Sequence, residues 1–230
     1  MPAASIRARV RAEMTSEIKA VARRHLETDG ANLSLRAVAR DMGMVSSALY
    51  RYFASRDDLL TALIIDAYSA VGGAVEAADA AISDRSDLRG RWLGTARAVR
   101  AWALERPAEY ALLYGSPVPG YTAPGDTIAA ATRTAVVLVG ILADGHEAGA
   151  ITAPAAAPRL GRAVRADLAR ARDQISPGLP EELLLLGMTG WLQLFGAVSF
   201  ELFGQLNNVI EARAEFFDEQ MTLMADLMGI

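Results

Sequence analysis

The 230-residue chain has no cysteine, one lysine (Lys19) and two histidines (His25 and His146). Without cysteine there is no disulfide, no zinc–thiolate site and no thiol nucleophile. Each histidine lies at the end of an expected helix. His25 suits the negative end of the helix dipole. His146, beside Asp144 and Glu147, reads as an acid–base pair, half a metal site or a solvated helix end, and no further ligand has suitable spacing. No GxSxG, phosphate-loop or dinucleotide fingerprint occurs. Catalysis therefore has little support, and neither a metal nor a cofactor is expected. Residues 1–10 hold arginines but no apolar run, so no secretory leader is expected and the cytoplasm is the expected location. The longest uncharged run, residues 183–200, approaches the length of a bilayer span. Glu181, Glu182 and Glu201 flank it and no basic residue stands near to orient it, so a helix buried in protein is expected, and no membrane.

What is present is apolar and helical. Hydrophobic residues make up 52% of the chain and charged residues 22%, a composition that folds around a core. The net charge of −4 conceals an asymmetry: residues 1–56 hold ten basic and five acidic side chains, the remainder thirteen and twenty-two. A basic head on an acidic body fits a polyanionic partner, or an uneven scatter of surface charge.

No segment alternates as a strand does, and apolar residues recur at helical spacing almost throughout. Val10, Met14, Ile18, Val21 and Leu26 predict a helix over 7–28. Ser34 is placed to cap a helix over 35–42, which Gly43 ends. A short helix follows at 46–52. Ser55 with Asp58 forms a capping box that opens a long helix, kinked or frayed at Gly72-Gly73. Further helices are predicted from Ser86 to about 103, from Pro107 to 114, over 126–147 with residues 136–142 deeply buried, over 159–174, over 181–204 and over 208–228. Loops fall at 116–125, 152–158 and 176–180. Three of these helices stand in front of a larger helical body.

Residues 33–60, LSLRAVARDMGMVSSALYRYFASRDDLL, carry the functional signal. Two short helices joined by a tight turn at Gly43 give helix-turn-helix geometry, whose second helix enters the DNA major groove. Ser46, Ser47 and Tyr50 lie on that helix's start and outer face, where base edges and phosphates would stand. Leu49 and Phe53, four apart, anchor it to the core. Arg56 opens the next helix, where its charge and free backbone N–H groups suit a phosphate.

With Leu35-x-x-Val38-Ala39-x-x-x-Gly43 followed by Ala48-Leu49-Tyr50-Arg51-Tyr52-Phe53-x-Ser55-Arg56-x-x-Leu59-Leu60, the segment resembles the TetR family of bacterial transcription regulators. The resemblance is close over about 10–62. It implies an all-α fold: an N-terminal three-helix DNA-binding domain (1–55) and a helical effector-binding and dimerisation domain (56–230). It implies that Tyr50 and Tyr52 contact phosphate, that Arg56 serves where the family usually has Lys, that Ser46 and Ser47 face base edges, and that Ser34 meets a phosphate. Val45 departs from the family's usual Ser or Thr at the start of the recognition helix. Either Ser46 caps in its place or Val45 touches a thymine methyl.

The C-terminal body is less specific. The segment 106–115 and Trp191-x-x-Leu194-Phe195-Gly196 resemble the branch named for a Trp-His-Gly signature, with Phe195 where its His is expected. Trp102, Tyr110, Tyr114 and Trp191 are the expected walls of an apolar cavity for a neutral, apolar or aromatic effector, or else core packing. Four consecutive leucines, 183–186, point all round one helix and leave apolar surface that a homodimer would cover. The function expected is a repressor that leaves a palindromic operator when a small molecule binds. The alternative is a helical protein–protein interaction module or a small helical enzyme.

Overall fold

The structure is a computed structural model and describes residues 3–152 and 160–230. Among these residues it is all helical, as expected, with no strand. The helices are α1 (Ala3–Asp29), α2 (Leu35–Asp41), α3 (Ser46–Leu49), α4 (Arg56–Ala81), α5 (Leu88–Glu105) and α6 (Pro107–Tyr114), then α7 (Ile128–Ala131), α8 (Arg133–Glu147), α9 (Arg162–Ile175), α10 (Glu181–Leu202) and α11 (Arg213–Met228); a 3-10 turn, Gly125–Thr127, precedes α7. They form two compact units. One comprises Met1–Ala70 and Arg106–Ala131, the other Val71–Glu105 and Thr132–Ile230.

In the first unit α1 packs on α2 and α6, and α2 packs on α3. Ile18, Ala22, Leu26, Val38, Leu49, Phe53, Leu59 and Leu60 build its core, with Met14, Tyr52 and Tyr121 against the edge. Local chemistry sets the helix ends. Ser34 Oγ accepts the Ala37 N–H at 3.4 Å and Ser55 Oγ accepts that of Asp58 at 3.1 Å. Gly43 turns the chain at φ +66°, a conformation that glycine alone adopts without penalty. Two of the head's ten cations pair with an acid of α4. Lys19 and Arg23 meet Asp66 at 2.7 and 2.5 Å, and Arg23 also reaches Glu109 at 3.1 Å.

In the second unit α10 is central, packing on α5, α8, α9 and α11. Trp92, 2% exposed, pins α5 to α11 by donating its indole N–H to the Met221 carbonyl at 2.8 Å. Arg91, also 2% exposed, reaches Asp79 and Asp144, both at 2.8 Å. Arg100 makes a two-pronged pair with Glu201 at 2.7 and 2.6 Å. By length and composition α4 and α10 are apolar enough to cross a bilayer. α10 nevertheless buries Leu183, Leu184, Leu194, Phe195 and Val198 against protein.

Several boundaries differ from those the sequence predicts. α1 begins earlier, at Ala3, and α3 ends at Leu49 rather than 52. After α3 the chain tightens to i→i+3 hydrogen bonds: the Arg51 N–H donates to Ala48 O at 3.3 Å and the Tyr52 N–H to Leu49 O at 2.9 Å. α5 starts at Leu88, because Asp87, whose charge suits a helix start, accepts the Gly90 N–H at 2.8 Å. Ser86 donates to Asp84 instead. α4 does not break at Gly72-Gly73. A side chain at Gly72 would stand 2.8 Å from Arg133 Cβ, so the glycine admits a neighbouring helix. The helix expected at 126–147 is interrupted at Thr132, and Val136 is 47% exposed while Leu138, Val139, Ile141 and Leu142 are buried. α10 stops at Leu202 and α11 starts at Arg213; Gly204 and Asn208 between them take positive φ. Of the loop expected at 152–158, residues 153–158 lie outside the described residues, as does Arg159, where α9 was expected to begin.

Candidate nucleic-acid interface

The recognition segment is held from beneath and open above. Leu49 is fully buried and Phe53 is 7% exposed, so the anchors lie where the spacing places them. Ser47 and Tyr50 stand exposed and Ser46 is half-buried. Val45 occupies the N-cap position, makes no side-chain cap bond and is 71% exposed. Ser46, the first helical residue, does not take over the cap.

Ser34, Tyr50 and Arg56, far apart in sequence, line one open cleft of about 340 Å³ together with Leu33, Leu35 and Arg36. Ser34 is the N-cap of α2 and Arg36 lies in its first turn, Tyr50 is the residue just after α3, and Arg56 starts α4. The cleft thus joins hydroxyl and guanidinium donors with an N-terminal helix turn, the components that bind phosphate oxygens.

Arg56 is less available than its position suggests. Its Nε donates to Leu33 O at 3.1 Å and its Nη2 to Ala31 O at 2.6 Å, and Nη1 lies 3.5 Å from Asp57. The side chain, about a third exposed, braces the turn ahead of α2 as it lines the cleft. Tyr52 is half-buried, with the Arg11 guanidinium 5.2 Å from its ring centroid. Arg36 and Arg11 are the additions that sequence reasoning missed. Arg36 follows Ser34 by two residues on the outward turn of a capped helix, a signal that was readable. The partners of Arg11, the Tyr52 ring and the Arg51 carbonyl 40 residues away, were not.

His25 closes the unit from the side. Its Nε2 lies 2.7 Å from Asp41 and its Nδ1 3.7 Å from Asp29, so it ties the end of α1 to the end of α2. The hydrogen bond from His25 holds the Asp41 carboxyl below the usual carboxylate range.

The expected effector residues fall into two sets. In the first unit Tyr110 is fully buried and Tyr114 half-buried, with ring centroids 4.9 Å apart, and Tyr68 meets Tyr114 edge-on at 6.1 Å. Burial pushes the Tyr114 and Tyr68 phenols above the usual tyrosine range. In the second unit Trp102 is 5% exposed, and Trp191 is half-buried with its ring 5.6 Å from Phe195. His146, beside the Ile151 carbonyl at 3.5 Å, lines a separate hollow of about 310 Å³ with Glu147 and Ser176. Among the described residues no three metal-ligating side chains gather.

Comparison with known proteins gives concordant results for the two halves. Residues 18–63 match the family described as "Bacterial regulatory proteins, tetR family", and residues 92–224 match "Tetracyclin repressor-like, C-terminal domain". The chain is 38% identical over 226 residues to the HTH-type transcriptional regulator Rv1816 of Mycobacterium tuberculosis, covering 95% of this chain and 94% of that one. It is similar to the crystal structure of the putative regulatory protein SCO4313, with TM-score 0.77, 35% identity and coverage of 95% and 98%. A protein of unknown function from Rhodococcus sp. RHA1 shares the fold at TM-score 0.67 and 23% identity, with coverage of 94% and 93%.

Proposed function

Because the chain belongs to the TetR family, and is therefore a ligand-responsive DNA-binding transcriptional regulator and not an enzyme, we propose that it represses transcription from a two-fold symmetric operator and leaves it when a small molecule binds. Residues 1–55 are the DNA-binding domain and 56–230 the effector-binding and dimerisation domain in this reading. Ser46, Ser47 and Val45 face base edges, with the Val45 methyls suited to a thymine. Ser34, Tyr50, Tyr52 and Arg56 serve the phosphate backbone. The observation that carries the reading is the cleft that gathers Ser34, Tyr50 and Arg56 beside an anchored, outward-facing α3.

A homodimer through α10 and α11 is supported by apolar side chains that the single chain leaves in water. Leu192, Phe200, Leu223 and Leu227 are each more than half exposed, and Phe203 is 43% exposed. Such a patch is normally covered by a partner. A two-fold pairing sets the recognition helices about 34–36 Å apart, or a multiple of that. The effector reading keeps Tyr110 and Tyr114 of the first unit and, separately, Trp102 and Trp191 of the second as candidate lining residues, and aromatic groups of this kind favour a neutral apolar or aromatic compound. A cytoplasmic location without membrane attachment follows from action on DNA.

The test is selection of duplexes from a randomised 30-base-pair library by the purified protein. The expected winners carry an inverted repeat, and Tyr50→Phe weakens their binding without lowering thermal stability. Enrichment of asymmetric single sites would overturn the dimeric operator. No enrichment at all would overturn sequence-specific repression.

A further inference from the structure

Burial does not account for the first turns of α1. Residues 6–13 are all exposed, and the helix first reaches the core at Met14 and Ile18. Eight residues at helical rise make a projection of roughly 12 Å. It carries Arg7, Arg9 and Arg11 against the single acid Glu13.

The projection has a fixed place in its unit. Arg11 donates from Nη2 to the Arg51 carbonyl at 2.9 Å, and its guanidinium lies over the Tyr52 ring. Both partners belong to the segment just after the recognition helix. Arg7 is one turn before Arg11 and shares its face. Arg9 points elsewhere on the helix and pairs with Glu13 at 3.6 Å. Arg7, Arg11 and the exposed Arg51 therefore extend the basic and tyrosine-bearing side of α3 beyond the helix-turn-helix itself.

From this placement we infer that the projecting turns of α1 form an additional DNA-backbone contact, in which Arg7 and Arg11 neutralise phosphates flanking those met by Tyr50 and Tyr52. The inference rests on the reading that the α3 face meets DNA. Each cation that neutralises a phosphate releases condensed counterions and steepens the salt dependence of binding. Arg11 acts from a fork already oriented by Tyr52 and the Arg51 carbonyl. Arg7, one turn farther out, reaches the next stretch of backbone. Neither contact depends on base sequence.

The experiment compares wild type, Arg7→Ala, Arg7→Ala/Arg11→Ala and Arg9→Ala on a duplex selected by the wild type from a randomised library. Binding is followed by fluorescence anisotropy from 50 to 300 mM NaCl. For a dimer, loss of both side chains should flatten the plot of log K against log [salt] by about 3 to 4 units, and loss of Arg7 alone by about half that. Arg9→Ala should change the slope least. Circular dichroism of each variant shows whether the helix persists, and Arg7→Ala leaves the Arg11 anchor in place. A wild-type slope in the folded double variant, with Tyr50→Phe still weakening the same duplex, would overturn the arm and leave the proposed function standing. Failure of the wild type to select any duplex would remove both. Loss of binding to phosphatidylglycerol vesicles in the double variant, with the duplex slope unchanged, would assign the face to a lipid surface and overturn the inference.

Discussion

Replacing Arg91 by Met keeps most of the side-chain volume and removes one charge from the interior of the second unit. Arg91 is 2% exposed, and its guanidinium is met by Asp79 at 2.8 Å, Asp144 at 2.8 Å and the Arg85 carbonyl at 3.3 Å. Breaking a buried ion pair by removing one partner costs about 3–5 kcal/mol. Two features place this case at the lower end. Asp79, 15% exposed, keeps Arg85 at 2.5 Å, and Asp144, about half exposed, can turn to water. A loss of about 3 kcal/mol at pH 7 is therefore expected. The pH dependence gives a second check. Burial raises the Asp79 carboxyl, but the hydrogen bonds from Arg91 and Arg85 outweigh it and hold the group below its ordinary value. A carboxyl depressed in the folded state adds stability above its unfolded value, near 3.9, and that contribution disappears as pH falls through the folded value. The difference between wild type and Arg91→Met should thus be full at pH 7 and shrink below about pH 4. Urea unfolding at pH 7, 5, 4 and 3 measures it. A difference under about 1 kcal/mol at pH 7, or one unchanged down to pH 3, would refute the reasoning.

Two further outcomes are expected. Leu49→Ala removes a fully buried anchor of the recognition helix and should cost about 2–5 kcal/mol in urea unfolding while also weakening duplex binding, since α3 is only four residues long. Leu223→Arg, at a position 59% exposed in the single chain, should leave the chain folded by circular dichroism but yield a one-chain mass by light scattering and weaker operator binding.

The fold was legible wherever its cause was local. Ser34 and Ser55 cap as their positions predict, and Leu49 and Phe53 are buried as their spacing predicts. Contributions from distant residues were not legible. Gly72 reads as a weak point until Arg133 is seen against it. Arg56 reads as a free cation until the Ala31 and Leu33 carbonyls fold back onto it. The charge excess of the head overstates what faces outward, because Asp66 from α4 takes up Lys19 and Arg23. At the proposed DNA face, residue types on a short motif nominate Tyr50 and Arg56, the family resemblance adds Ser34, and the fold adds their common cleft and Arg36. In the body, aromatic residues nominate core and cavity wall equally well. Tyr110 at 0% and Trp102 at 5% exposure pack as core residues do, while Tyr114 and Trp191 keep some surface.

The central claim is that this chain reads DNA sequence and does not merely adhere to a polyanion. Its most direct test is the ratio of dissociation constants for the library-selected duplex and a random duplex of the same length, measured side by side at 150 mM salt. The account predicts at least about a thousandfold preference for the selected duplex. Equal affinity for both would contradict it, leaving the basic head as an electrostatic surface with no sequence-reading role.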